Sequence, residues 1–425
     1  MGLFLDQTLS RLRFGGRLRL RRTCLVLFFL LAFLSCVHSQ AAPSNQSLIS
    51  PRTFTHPGLL NSKDELDFVK NKITSGAEPW SRLFHAMKNS KYADPNWVPK
   101  PLEVVNARSE EANVELEDAT AAYTLALLWY FTAEEVYARK SVAILNAWSG
   151  KLNRHTSHDR QAELVAAWCA ADFALAGEII RASYPQWAPA EIGRFSTMLN
   201  QAFLPILLEG NPKYNGNWEL TMIDAIISIG VFTDNDATFE RGVLLWRERV
   251  PAYFYLASDG KSPRRPPGTH DLDSERAIKA YWYQPDHYID GLCQETGRDF
   301  GHHMQEGLAS AVNAAEIALH QGIDLYAENA DRISEAMEFH ARPLLGRAIP
   351  KVIFPRDFLA SEELPTWEIA YNHFHYRKGF ILPATKELIE TRVRSTLASG
   401  THNNMLWEGL THAELGYGGD GKSPH

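Results

Sequence analysis

Residues 117–131, EDATAAYTLALLWYF, are followed after one residue by residues 133–150, AEEVYARKSVAILNAWSG. Both segments repeat apolar residues at helical rather than alternating spacing, over several turns each. A join this short leaves the second helix to run back along the first. The pair is therefore an antiparallel helical hairpin, and the same pattern recurs on both sides of it. Upstream, NSKDELDFVKNKITSG (61–76) begins with Ser62 as N-cap and Glu65 at the capping-box position, and Gly76 ends it. Downstream, RQAELVAAWCAADFALAGEIIRASYPQ (160–186) pairs with PAEIGRFSTMLNQAFLPILLEG (189–210). WELTMIDAIISIGVF (218–232) pairs with DATFERGVLLWRERVPAYFYLA (236–257), and HHMQEGLASAVNAAEIALHQG (302–322) with NADRISEAMEFHARPLLG (329–346).

Serial hairpins over this length build either an open solenoid or a closed ring of hairpins, an (α/α) toroid. No fixed-period repeat is visible, which disfavours the solenoid. The expected fold class is all-α, an (α/α) toroid in one large domain over residues 60–415. A linker is expected at 40–59 and a tail at 416–425. One long connection, ASDGKSPRRPPGTHDLDSERA (257–277), is rich in Pro and Gly and carries Lys261, Arg264 and Arg265. It reads either as a solvated surface loop or as a basic lid for an anionic substrate.

Of the 425 residues, 45% are hydrophobic and 11% aromatic, a composition suited to a large core. The N-terminus is different. A basic stretch (RLRFGGRLRLRRT) precedes an apolar run of 14 residues and then a small, polar segment. That order is a secretory signal with a cut after Ser39. The run is short for the roughly 20 residues of a spanning helix, which leaves a signal anchor as the alternative. Cleavage takes the net charge from −7 to about −12. The acidic balance argues against nucleic-acid binding but permits an acidic polymer in a locally basic cleft. The mature chain keeps Cys169 and Cys293; Cys169, in an apolar helix, reads as a buried thiol. Asn45 begins a glycosylation sequon, and the expectation is a secreted glycoprotein with no stable membrane association.

Three constellations carry candidate chemistry. In QETGRDFGHHMQEG (294–307), Glu295, Arg298 and His302 fall on one helical face, with His303 about 100° away. No paired-ligand spacing of the HExxH kind is present, so neither a metal nor another cofactor is expected. In KYNGNWELTMIDA (213–225), Asn217 stands at the mouth of a helix, where its amide and the helix N-terminus suit a carboxylate. The bland alternative is a simple N-cap, with Glu219 and Asp224 solvated or paired. In TWEIAYNHFHYRKGFILP (366–383), Tyr371, His373, His375, Tyr376 and Arg377 crowd together. Half-buried structural residues are the alternative there.

These stretches together resemble the alginate-lyase-domain polysaccharide lyases. The likeness runs through GNWELTMIDAIISIGVF, QETGRDFGHHMQEGLASAVNAAEIALHQGIDLY and WEIAYNHFHYRKGFILPAT, in that order. Its most specific part is the Glu295-x-x-Arg298-Asp299-x-x-His302 run. The resemblance implies a toroid that cleaves 1,4-linked uronate polymers by β-elimination, with mannuronate-rich alginate and glucuronan both open. The Asn-Asn-His triplet of some alginate lyases is Asn-Gly-Asn here, so the histidine is expected from His302. Elimination removes a weakly acidic proton α to a carboxylate, so that carboxylate must be neutralised first. Asn217 and Arg298 match that need. Mannuronate and glucuronate carry H5 and O4 on the same side, so one tyrosine can serve as base and acid. Tyr371 is assigned that role, with Tyr288 in reserve; guluronate would need His302 as base. Glu295 is expected to orient the His–Arg pair. Trp218, Glu295, Tyr288, His303, His373 and Arg377 are the expected substrate contacts. Two rivals stand beside this reading. One is a glycoside hydrolase on the same toroid using two of Glu219, Asp224, Glu295 and Asp299. The other is a non-catalytic carbohydrate binder.

Overall fold

The computed structural model describes residues 52–210, 216–348, 351, 353–354, 363–396 and 401–415. The leader, its expected cut after Ser39, Asn45 and the tail lie outside them. The opening hairpin is α3 (Glu110–Thr132) and α4 (Glu135–Ser149) of a series that starts with α1 (Lys63–Thr74) and α2 (Trp80–Lys88). Ser109 caps α3 by accepting from Glu111 N, and Ala133 ends it in the left-handed conformation, which turns the chain within two residues. There follow α5 (Gln161–Ser183), α6 (Pro189–Met198), α7 (Leu204–Leu208), α8 (Gly216–Phe232) and α9 (Asp236–Tyr253). The last set is α10 (Glu275–Tyr281), α11 (Thr296–Asp299), α12 (His302–His320), α13 (Leu325–Glu328), α14 (Ala330–Leu344), α15 (Glu368–Tyr371) and α16 (Pro383–Leu388).

The order of packing is that of an (α/α) toroid. α3, α5, α8 and α12 stand side by side as an inner wall, while α4 backs α3 and α9 backs α8. α12 packs on α15, α15 on the turn Glu408–Thr411, that turn on α1, and α1 on α3, which completes the ring. Trp407 Nε1 seals it by donating to Thr124 Oγ1 at 2.9 Å. The inner helices show why. Every residue of α8 is buried, and α5 and α12 are buried almost all round, as befits helices covered on every side. α8 and α9 approach closely because Gly230 and Gly242 lie at their contact. A Cβ on Gly230 would stand 2.5 Å from Phe239 N, and one on Gly242 2.4 Å from Ile227 Cγ1.

Residues 52–59, expected as linker, are instead strapped to the domain. Arg52 donates to Asp236, Glu240 and the Gln321 carbonyl, and Phe54 and Leu59 are buried. Cys169 and Cys293 are both free and buried. No described helix is long and apolar enough to cross a membrane.

Candidate active site

The first turn of α8 and the segment 294–307 meet at two buried carboxylates. Glu295, fully buried, accepts from Asn217 N at 3.0 Å, from Arg298 Nη1 at 3.0 Å and from the Tyr253 hydroxyl at 3.2 Å. Glu306 accepts from Asn217 Nδ2 at 2.9 Å and Asn403 Nδ2 at 3.0 Å, with His402 Nε2 at 3.4 Å and His302 Nε2 at 3.7 Å. Asn217 thus bridges the two carboxylates, its backbone on one and its amide on the other. His302, on the first turn of α12, meets the His402 ring edge-on at 5.4 Å. His303 pairs with Asp299.

Two glycines make this junction possible. The Tyr253 ring lies between α8 and α12, where a Cβ on Gly216 would stand 2.0 Å from Tyr253 Cδ2 and one on Gly307 2.2 Å from its hydroxyl. Any larger residue at either position would push Tyr253 off Glu295.

Burial pushes the Glu295 carboxyl up to about 7, against the opposing pull of His303, the Asn217 N–H and Arg298. Burial raises Glu306 too, but His402, His303 and His302 outweigh it and hold its carboxyl below the usual value. Burial, joined by the neighbouring rings of His303 and His402, lowers His302. The cluster therefore holds a charged carboxylate, a second one near its titration midpoint at neutral pH, and an imidazole that favours its neutral form.

The remaining expected residues do not join this cluster. Tyr371 is buried in the α15 wall, stacked on His375 at 4.8 Å, and its hydroxyl is buried without a hydrogen-bond partner. It shares no hydrogen bond, ring contact or charge interaction with Asn217, Arg298 or His302. His373 is buried and stacked on Tyr326 at 4.0 Å, and burial takes its pKa down to about 4. Arg377 is committed to Glu316 and Glu65. Tyr288 packs with Tyr255 and Trp282, away from Asn217. Trp218 follows Asn217 in α8 and is buried. The density of aromatic and titratable residues at 366–383 belongs to a wall, where helical spacing stacks them on one another.

A tyrosine packed beside Gly297 and within range of the Arg298 charge is Tyr283, which the sequence reading did not single out. Burial raises its pKa to about 12, Glu295 adds to the rise, and Arg298 opposes it. Tyr283 and Gln284 both hold left-handed backbone (φ 60° and 63°), costly for non-glycine residues and frequent at functional sites. Gly297 accommodates this turn, since a Cβ there would stand 2.9 Å from Tyr283 O. His402 and Asn403 were missed as well, because they arrive on a short hairpin about 100 residues downstream of Glu306.

Of the four carboxylates weighed for a hydrolase, Glu219 lines the cavity between α8 and α9 and the other three are engaged. Asp224 is buried beneath Asn404 and Asn313, Asp299 pairs with His303, and Glu295 is fully enclosed. His302, Glu306 and His402 offer a cation three ligand atoms within 4.8 Å of one another. Glu306, however, already receives two amide donors. On loop 257–277, Arg264 is tied to Asp259, which also holds Arg332. Pro267 and Gly268 of the loop line a cavity of about 240 Å³ that lies beside this cluster, between α8 and α9.

A ring of helical hairpins carries carboxylates, Asn, Arg and His gathered at the first turns of two of its inner helices, α8 and α12. The family model for alginate lyase matches residues 67–348, and the chain belongs to that family. It is accordingly a polysaccharide lyase. No curated protein sequence matches the chain. Among solved structures it is similar to alginate lyase A1-III from Sphingomonas species A1 (18% identity, TM-score 0.48, 75% of this chain and 88% of that one). It is similar also to an alginate lyase from Bacteroides ovatus (15% identity, TM-score 0.48, 84% of this chain and 100% of that one). A further structure is a variant of A1-III complexed with a tetrasaccharide (19% identity, TM-score 0.49, 74% of this chain and 86% of that one). Likeness at these levels carries neither substrate nor site residues across.

Proposed function

We propose that the enzyme cleaves 1,4-linked polyuronates, mannuronate-rich alginate or glucuronan, by β-elimination, leaving an unsaturated uronate at the new non-reducing end. The observation that carries this reading is the meeting of Asn217, from the start of α8, with Arg298 and His302, from the 294–307 segment, on one pair of buried carboxylates. Arg298 spends one nitrogen on Glu295 and is 30% exposed, so donors remain for the carboxylate of the sugar. Asn217 and His302 both approach Glu306, and we assign both to the sugar carboxylate beside Arg298. Their hydrogen bonds strengthen as charge builds on the enolate-like intermediate. The C5 proton passes to a base, the C4–O4 bond breaks with its electron pair on O4, O4 is protonated, and a C4=C5 double bond forms. For mannuronate or glucuronate we assign both proton transfers to Tyr283 in place of the enclosed Tyr371. Its phenol needs the Arg298 charge to act as a base. For guluronate the base is His302. Glu295 positions Arg298, and Glu306 positions Asn217 and His302.

We place the enzyme outside the cell, on the basic, apolar and small-polar order of its first 39 residues. N-terminal sequencing of secreted protein should begin near Gln40. Incubation with a panel of defined polyuronates tests the activity. Ultraviolet absorbance and reducing ends should rise together. Reducing ends alone would make it a hydrolase, and neither would make it a binder.

A further inference from the structure

Arg249, on α9, is 4% exposed. Its Nη2 donates to the Tyr281 hydroxyl at 2.9 Å, and its Nε and Nη1 have no acceptor. No described carboxylate forms an ion pair with it. Guanidinium does not shed its proton, so burial cannot be relieved by neutralisation, and an unpaired buried charge is costly. Arg249 lines the cavity of about 240 Å³ closed on one side by Pro267 and Gly268. Part of that lining is apolar, with Met222 and Ile223. Its charged groups are Glu209, Glu219, Arg241, Glu248 and Arg249, and of these Arg249 is the buried cation. Apolar surface with a few placed polar groups is the usual make-up of a small-ligand site.

Tyr281 joins this cavity to the reaction centre. Its carbonyl accepts from Gln294 Nε2 at 2.7 Å, and Gln294 Oε1 accepts from Gly216 N at 2.9 Å, next to Asn217. We infer that the Arg249 cavity is a subsite for the carboxylate of a uronate unit flanking the one whose bond is cut. The inference rests on the lyase reading above and adds to it a second point of charge recognition. Glu219 lies in the same lining, and Glu209 and Glu248 stand exposed beside it. These tolerate the single charge of a carboxylate better than the double charge of a phosphate. The basic loop thus contributes through its Pro267–Gly268 turn.

The test is Arg249→Met in the full enzyme, with folding checked by circular dichroism. KM for a uronate tetrasaccharide should rise about 10–100-fold, the worth of hydrogen bonds to a charged group. kcat should stay within about threefold of the parent, since uniform binding is what is lost. An unchanged KM in a folded variant overturns the subsite. Arg249→Lys keeps the charge should the Met variant fail to fold, and a smaller rise in KM is expected of it. A crystal structure of the parent enzyme with the tetrasaccharide should place a carboxylate on this guanidinium; a cavity left empty by bound sugar overturns the proposal. If the parent cleaves no polyuronate, the lyase reading fails by itself. Calorimetry of tetrasaccharide binding to parent and variant then decides the subsite: weaker binding to the variant supports it, equal binding overturns it. Displacement of the sugar from Arg249 by millimolar inorganic phosphate also overturns it.

Discussion

Helix α12 carries a cluster of charges at each end, built from the same residue types, and the two behave in opposite ways. At its C-terminal end, Glu316 and His320 meet Glu65 from α1 and Arg377. Arg377 donates to Glu316 at 2.7 Å and to Glu65, and His320 Nε2 lies 3.0 Å from Glu65. Each charge there faces an opposite one. His320 is lifted to about 9: burial works against the rise, and Glu65 and Glu316 overcome it. At the N-terminal end, Arg298 and His302 are 30% and 38% exposed, and the cations there are too few to offset the burial of Glu295. Glu295 rises to about 7 and His302 falls. Full pairing fixes charge, whereas partial pairing moves acid and base toward neutrality and leaves donors facing the cleft. The two ends of α12 thus differ in satisfaction and exposure, and the proposed chemistry falls at the less satisfied, more exposed one.

The sharpest way to break this comparison is a pair of tyrosine variants. Tyr283→Phe should keep the fold and lower turnover roughly 10²–10⁴-fold, the usual worth of a general acid–base group. Tyr371→Phe, within the closed wall, should leave turnover near normal. Steady-state kinetics on mannuronate-rich alginate and glucuronan measure both. The reverse result would return proton transfer to the wall and remove Tyr283 from the mechanism.

The two arginines come next. Arg377→Met strips the cation from Glu65 and Glu316 and should cost about 3–5 kcal/mol of stability, the price of stranding buried charge. Activity per folded molecule should hold. Arg298→Met should do the opposite, lowering turnover with a smaller loss of stability, because Glu295 can take up a proton at neutral pH. Chemical denaturation beside kinetics separates the two. Equal stability losses would mean that both clusters are structural.

The sequence made the helices legible because hydrophobic spacing and caps are local. Ser62 and Glu65 form the expected capping box, and α3, α5, α8 and α12 lie where the apolar runs placed them. The 294–307 cluster was legible for the same reason, since Glu295, Arg298 and His302 are neighbours on the chain. Tyr371, His373 and Arg377 lie apart from the 294–307 cluster, which residue type could not foretell because it says nothing of partners: Glu65, which claims Arg377, lies 312 residues away. His402 and Asn403 were hidden by the same long-range closure. Tyr283 depends on a left-handed turn that no glycine marks.

Titration of stability sharpens the contrast further. His320 binds its proton more tightly in the fold (about 9) than in the unfolded chain, near 6.5. Its contribution is therefore complete below pH 6.5 and is lost as pH rises through 9. Glu295, raised from 4.5 to about 7, has the same sign in a lower window: stability falls as pH rises from 4.5 through 7. Denaturation midpoints of the parent should decline between pH 6.5 and 9, and His320→Asn should flatten that decline. A His320→Asn protein with the parental slope would remove the closed cluster as its source.

The smallest expected effect is that of chelation. Each end of α12 offers a cation three ligand atoms, His302, Glu306 and His402 at one and Glu65, Glu316 and His320 at the other. At the closed end the Arg377 guanidinium already supplies the positive charge. At the open end the Asn217 and Asn403 amides donate to Glu306, and the proposed chemistry leaves neutralisation of the sugar carboxylate to Arg298. Exhaustive chelation should then leave turnover and thermal midpoint unchanged, and added zinc or calcium should restore nothing. Loss of turnover that zinc reverses, with the midpoint steady, would make the open cluster a metal centre and displace Arg298 from that role. A falling midpoint with turnover per folded molecule intact would put the cation at the closed end instead.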